Sequence, residues 1–168
     1  MTESTFWALL AKSRRRGATS ACNCCLARYL KKLSDKEVSD FGLMLYEKVC
    51  ELNTWQLWGA GEVIMGDMSG DSFHYFRTWI VGVGKRAFDT AKRAPDALGS
   101  FVDMDEDPVN VDNEVLEYVA LKILKERGVG SDPRERCSSD ADAEPVGAPF
   151  NLETLSVEYP KLAAQFPK

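Results

Sequence analysis

Residues 66–86 read GDMSGDSFHYFRTWIVGVGKR. Phe73, Tyr75, Phe76, Trp79, the single histidine His74 and Arg77 all fall inside this run. Wound at about 100° per residue, Phe73, Phe76, Trp79, Ile80 and Val83 occupy roughly a third of the circle. That stripe predicts a helix from about Gly70 to Val83 laid against a core, with its aromatics as packing and not as a cofactor box. Ser69 is placed to cap it, and Asp71 stands in the first turn, where a carboxylate meets the positive end of the helix dipole. Asp71, His74 and Thr78 fall on the opposite face and Arg77 on the flank. His74 is therefore expected to be solvated or locally paired, since one histidine without a fixed carboxylate partner is a weak catalytic signal. Arg77 is expected to lay its guanidinium over a ring or to pair with an acid on a neighbouring helix, with Glu62 as one candidate partner, or to clamp an anion at a groove edge.

The same period extends outward in both directions. Thr2 or Ser4 can cap a first helix carrying Phe6, Trp7, Leu9 and Leu10, ended by Gly17 and Thr19-Ser20. A second takes Leu26, Tyr29, Leu30 and Leu33. Ser34-Asp35-Lys36-Glu37 fits the capping box that opens a third, with Val38, Phe41, Leu45, Val49 and Leu52 on one stripe. Asn53 is expected to cap a fourth, holding Trp55, Trp58, Val63 and Ile64, with Gly66 ending it. A short helix with Ala87, Phe88 and Ala91 follows the central one, and Pro95 opens a further turn. Asn113 caps a last long helix through Leu124, stopped by Gly128. Alternation of β-branched residues is nearly absent, so the expected fold is all-α: a single compact bundle of six or seven helices over residues 1–128. Residues 129–149 hold few large apolar side chains and read as a flexible acidic linker. Residues 150–168 turn apolar again at Leu152, Leu155, Tyr159, Leu162 and Phe166, and are expected to dock back on the bundle.

Composition narrows the class. A chain of 168 residues with 45% hydrophobic content can bury a core without staples. A net charge of -5 argues against nucleic acid as a partner. No apolar run approaches a membrane span, and the basic cluster Arg14-Arg15-Arg16 follows the first apolar stretch where a signal peptide has it before. A soluble, cytoplasmic protein is expected, and its five cysteines are expected to be free thiols.

The segment WQLWGAGEVIMGDMSGDSFHYFRTWIVGVGK resembles a bacterial family named only as domain of unknown function 4240. The matching positions are Trp58, Gly66, Ser69, Asp71, Phe73, Phe76-Arg77, Trp79, Ile80-Val81 and Gly84. Phe6-Trp7 and Pro95-Asp96-Ala97-Leu98 are similar as well, and Pro160-Lys161-Leu162 can be added. The resemblance covers roughly residues 2 to 127. Two positions depart from the pattern: Gly70 stands where the first of an acidic pair would, and Asp67 breaks a glycine pair. The resemblance implies an α-helical fold and brings no established activity.

Cys22-Asn23-Cys24-Cys25 is the most metal-like string, since thiolates are soft-metal ligands. It lacks the paired arrangement of structural zinc. On a helix, Cys22 and Cys25 share a face with Leu26 and Tyr29, so packing is favoured over a ligand or redox role and no bound metal or disulfide is expected. Asp103, Asp105, Glu106 and Asp107 form an acidic loop whose spacing departs from the calcium-loop motif. VGVGKR lacks the preceding strand and full spacing of a phosphate loop.

Three functions follow as expectations, none with a cofactor. The first is a binding or interaction module for a small molecule or a protein, in a groove near Trp7, Trp58 and the helix 70–83. The second is a small helical enzyme of a biosynthetic pathway using Asp71, His74 and Arg77. The third is a thiol-based metal or redox protein using Cys22, Cys24 and Cys25. Trp7, Trp58, Glu62, Asp71, His74 and Arg77 are the candidate ligand-binding residues. A concave pocket receiving Asp71, His74 or Arg77 would favour an enzyme; a flat apolar patch would favour a partner surface.

Overall fold

Hydroxyl and amide side chains open the longer helices. The computed structural model describes residues 1–15, 20–104 and 110–167. In it α1 runs Glu3–Ser13, α2 Asn23–Leu30, α3 Asp35–Glu51, α4 Trp55–Met65, α5 Gly70–Val83, α6 Lys85–Arg93 and α7 Glu114–Glu126. Two short 3-10 helices, Pro95–Phe101 and Pro133–Arg136, and two short α-helices, α8 Leu155–Glu158 and α9 Pro160–Gln165, complete the order. The fold is all-α; among the described residues the only bridges are isolated ones, Arg14 with Ala21 and Thr54 with Val146. The expected helices are α1–α7, and α8 and α9 are additional short pieces in the C-terminal segment. Arg16, Gly17 and Thr19, and Asp105, Glu106 and Asp107 of the acidic loop, lie outside the described residues.

Thr2, Ser69 and Asn113 cap α1, α5 and α7 through their side-chain oxygens, and Ser34 and Glu37 form the reciprocal capping box of α3. The cap of α4 differs from expectation. Thr54 accepts from the Leu57 amide at 3.1 Å, while Asn53 is buried and donates to the Ala143 carbonyl at 2.7 Å.

Helix α5 contacts α3, α4, α6 and α7, and that central position corrects the reading of its second face. From Phe73 to Val83 every residue except Tyr75 is buried, His74, Arg77 and Thr78 included. The face opposite the aromatic stripe meets α7 and the chain near Ala141 in place of water. Gly82 allows the approach to α7: a Cβ there would sit 2.9 Å from the Leu116 Cδ2. A glycine that costs helix propensity is kept because two helices meet on it.

The stretch 129–149, expected as a flexible linker, is tied to the body at several points. Pro133 and Ala141 are buried. The Ala141 amide donates to the Tyr46 hydroxyl at 3.2 Å, and Val146 exchanges backbone bonds with Asn53 and Trp55 at 3.0 and 3.1 Å. Composition misses this because the anchors are backbone groups and small residues, not large apolar ones. Beyond it, Leu155, Tyr159 and Leu162 are buried and Phe166 half-buried, while Leu152 is exposed. The Asp96 carboxylate accepts the Lys161 and Leu162 amides at 3.0 and 3.1 Å, capping α9 from another element. Among the described residues, no helix is long and apolar enough to cross a membrane.

Candidate functional site

Two side chains build the polar centre, one from α5 and one from α7. The His74 Nε2 lies 2.6 Å from the Glu117 Oε2, and its Nδ1 lies 3.3 Å from the Asp142 Oδ1. The other Glu117 oxygen accepts from the Arg134 Nη1 at 2.6 Å, and Arg134 also binds Asp132 at 2.7 Å. Burial pushes the Glu117 carboxyl up, but the hydrogen bond and charge of His74, followed by those of Arg134, outweigh it and leave the group below its ordinary value. Arg134 lies over the Tyr118 ring at 5.2 Å. These groups open onto a concave cavity of about 260 Å³ lined also by Tyr46, Asp71 and Tyr75.

A second cavity, of about 350 Å³, adjoins the first at Asp71 and Asp142, which line both. Its wall is a stack. Trp55 lies on Trp58 at 5.2 Å, Trp58 on Phe73 at 4.6 Å, and the Arg77 guanidinium over Phe73 at 4.5 Å. Trp58 is fixed by its indole N–H, which donates to the Met68 carbonyl at 3.2 Å. Arg77 is 2% exposed and donates to the Phe73, Val49 and Ala141 carbonyls at 3.3, 3.4 and 2.9 Å. Burial pulls it down to about 10, so it keeps its charge at neutral pH.

The expected bridge from Arg77 to Glu62 gives way to these carbonyls. Glu62 accepts the Asp67 and Met68 amides at 2.7 and 2.9 Å, holding the turn between α4 and α5. Gly66 and Asp67 both take positive φ there, 70° and 49°. Asp67 thus adopts the left-handed conformation that a glycine pair would take without strain, at a cost of about 1 kcal/mol. Gly70, the other departure, has nothing within 4 Å of a Cβ built on it. A larger side chain would fit, so the glycine leaves an acidic group off the cavity rim without making room for anything.

The candidate residues do not share one groove. Trp7 lines a separate cavity of about 470 Å³ with Arg14, Arg86 and Phe101, and its indole N–H donates to Glu3 at 2.9 Å. Glu62 lines a fourth, of about 620 Å³, against α8 and α9. Trp58, Asp71, His74 and Arg77 are the ones brought together, around the two adjoining cavities. Glu117, Arg134, Asp142, Tyr46 and Trp55 complete that site and were missed as functional residues. Only Glu117 left a legible signal: it lies seven residues before Leu124 and three before Ala120, on the buried side of α7.

The cysteines also depart from expectation. Cys22 and Cys25 are half-buried and Cys24 exposed, so none packs fully into the core. Cys22 stands at the N-cap of α2, its thiol held down to about 6 mainly by a hydrogen bond with Cys24, while Cys25 is pushed up by its bond to Cys22. All five cysteines are free thiols.

A family model matches residues 1–126 of this 168-residue chain. The chain belongs to the DUF4240 family, proteins of unknown function. No curated protein and no solved structure matches the chain. The DUF4240 match ends at the last residue of α7. Asp71, His74, Arg77 and Glu117 therefore lie inside the family region, whereas Asp132, Arg134, Ala141 and Asp142 reach the site from beyond it.

Proposed function

We propose that the protein is a binding module for a small molecule, held in the two adjoining cavities beside α5, and that the ligand is an organic cation carrying a flat ring. The observation that carries this reading is the polar cluster of His74, Glu117, Arg134 and Asp142 at a concave surface. The polar cavity sets three carboxylates, Asp71, Glu117 and Asp142, against the guanidinium of Arg134. It is acidic whichever way His74 is protonated, which favours a cation. The neighbouring cavity sets Glu144, with the shared Asp71 and Asp142, against Arg77, and adds half-buried Trp55, the end ring of the stack, which suits a ring or an ammonium group. Concavity also argues against a flat partner surface.

A second reading, a small helical enzyme using Asp71, His74 and Arg77, is favoured by the same concave pocket and has one further observation behind it. Glu117 holds one His74 nitrogen, and the other meets Asp142, whose side chain is 81% exposed. A carboxylate orienting an imidazole is an arrangement that general-base chemistry uses. Arg77 weakens this reading, because its guanidinium is turned to backbone carbonyls and not to a reacting group.

Aryl-alkyl ammonium compounds, their neutral alcohols and their carboxylate counterparts separate the outcomes. Tryptophan fluorescence should report binding of the ammonium series alone, weakened at least tenfold in Asp142→Asn and in Trp55→Ala. Equal or better binding of the carboxylates would overturn the cation assignment.

A further inference from the structure

The three thiols of Cys22, Cys24 and Cys25 form a cluster apart from the site beside α5. Their Sγ atoms all lie within 4.8 Å of one another, and those of Cys22 and Cys24 are 3.0 Å apart. An ion about 2.3 Å from each of three sulfurs holds them about 4 Å apart, so side-chain rotation alone can close this set.

The backbone that carries the thiols is pinned on both sides. The Ala21 amide donates to the Gly82 carbonyl at 3.0 Å and the Cys22 amide to the Ser13 carbonyl at 3.2 Å. The Asn23 side chain donates to Asn113 at 2.8 Å, tying the start of α2 to the start of α7. The ligand string is thus attached to α1, α5 and α7 before anything binds, which lowers the ordering cost of binding. The Arg15 Nη2 donates to the Cys24 Sγ at 3.2 Å and brings a positive charge to the cluster.

From this geometry we infer that Cys22, Cys24 and Cys25 form a trigonal thiolate site for a soft monovalent cation, Cu(I). The donor set selects the metal. Soft thiolates favour Cu(I) and Zn(II), but a structural zinc takes four protein ligands. Among the described residues no fourth ligand joins the three cysteines. Three thiolates fill the coordination of Cu(I), and the complex carries two negative charges, one of which the Arg15 guanidinium offsets. Each thiol releases its proton as its sulfur bonds to copper, and the metal stays Cu(I) throughout. This departs from the packing role that helical spacing suggests, because the spacing places Cys22 and Cys25 on an inward face and the structure leaves them only half-buried.

The test is an anaerobic titration of the reduced full chain with Cu(I), in competition with a chromogenic Cu(I) chelator. The expected result is one Cu(I) per chain and an ultraviolet thiolate-to-copper charge-transfer band. Cys22→Ser, Cys24→Ser and Cys25→Ser should each weaken binding more than about 100-fold, and Arg15→Ala about tenfold, as loss of a neighbouring shell does. Cys50→Ser and Cys137→Ser should leave it unchanged, and far-ultraviolet circular dichroism should show every variant folded. Undiminished binding by Cys24→Ser would overturn the site. So would reduced protein that takes up no Cu(I) and instead forms a disulfide within the string on mild oxidation. Tighter binding of Zn(II) than of Cu(I), with a tetrahedral spectrum for the Co(II) form, would overturn the choice of metal.

Discussion

On one face of α5, Phe76, Trp79, Ile80 and Val83 are buried by area; on the other, His74, Arg77 and Thr78 are buried because each is met by a partner. The apolar face needs only neighbours of the right shape, and each side chain removed from water there contributes about 1.5–3 kcal/mol. The polar face needs particular atoms. Thr78 returns its hydroxyl to the His74 carbonyl at 3.2 Å, His74 meets Glu117, and Arg77 meets three carbonyls. A helix surrounded by other elements has no solvated side. Its polar residues are then either paired or strongly destabilising, and a paired set beside a cavity is also a place to bind something.

The two arginines of this region sharpen the contrast. Arg134 lies between Asp132 and Glu117, and the first of these carboxylates contributes most to holding its charge in place. Arg77 has carbonyl acceptors and an aromatic face, and burial acts on it with only partial offset from Asp142 and Glu117, neither of which is within ion-pair distance. Arg77→Met should therefore give the largest effect. It keeps the apolar stem but leaves the buried Ala141 carbonyl without its donor and removes one of the anchors of the 141–146 stretch. A loss of about 3 kcal/mol in urea unfolding is expected, with faster proteolysis between 137 and 149. Stability within about 0.5 kcal/mol of the parent would mean that the polar face follows the same rule as the apolar one.

Glu117→Gln should come second, at about 2 kcal/mol near neutral pH, since Gln preserves size but weakens two charge-assisted bonds. Its pH dependence has a definite sign. The Glu117 carboxyl is lowered in the folded chain, so its contribution is complete above the ordinary carboxylate value of 4.5 and fades as pH falls through the lower folded value. Below 4.5 the difference between parent and variant should shrink as Glu117 takes up its proton. A difference that grows as the pH falls below 4.5 would show that Glu117 is strained in the folded chain and not stabilised.

Much of the frame was legible because it depends on local chemistry. The capping box at Ser34, the caps at Ser69 and Asn113 and the proline opening the turn at Pro95 involve residues a few positions apart, within reach of sequence reading. The aromatic stripe of α5 was legible for the same reason. The site was legible only in part. Asp71, His74 and Arg77 could be singled out, but the partners of His74 lie 43 and 68 positions away, and nothing local indicates that α7 and the 141–142 stretch converge on it. The second face of α5 was misread because amphipathic analysis assigns one buried face to each helix, whereas a central helix has two. For the cysteines the helical period runs one residue beyond the start of α2, to the cap at Cys22, where a side chain leaves the stripe, and Cys25 in the first turn is only half-buried.

Asp71 joins the two regimes, and its substitution should have the smallest effect on stability and the most informative pattern. It is exposed in the first turn of α5, just beyond the Ser69 cap, and it lines both cavities. A carboxylate there interacts favourably with the helix dipole, worth about 0.5 kcal/mol at low ionic strength and screened by salt. Asp71→Asn should therefore lower Tm slightly in dilute buffer and by less at high salt. If Asp71 also faces the proposed ligand, the same substitution should weaken aryl-ammonium binding several-fold at an ionic strength where the Tm difference has vanished. The two readouts separate because the dipole term is a property of the empty protein and the binding term requires the ligand. Weakened binding with no Tm change at any salt would make Asp71 a ligand contact alone. A Tm change with unaltered binding would confine it to the helix start and move the acidic wall of the site to Glu117 and Asp142.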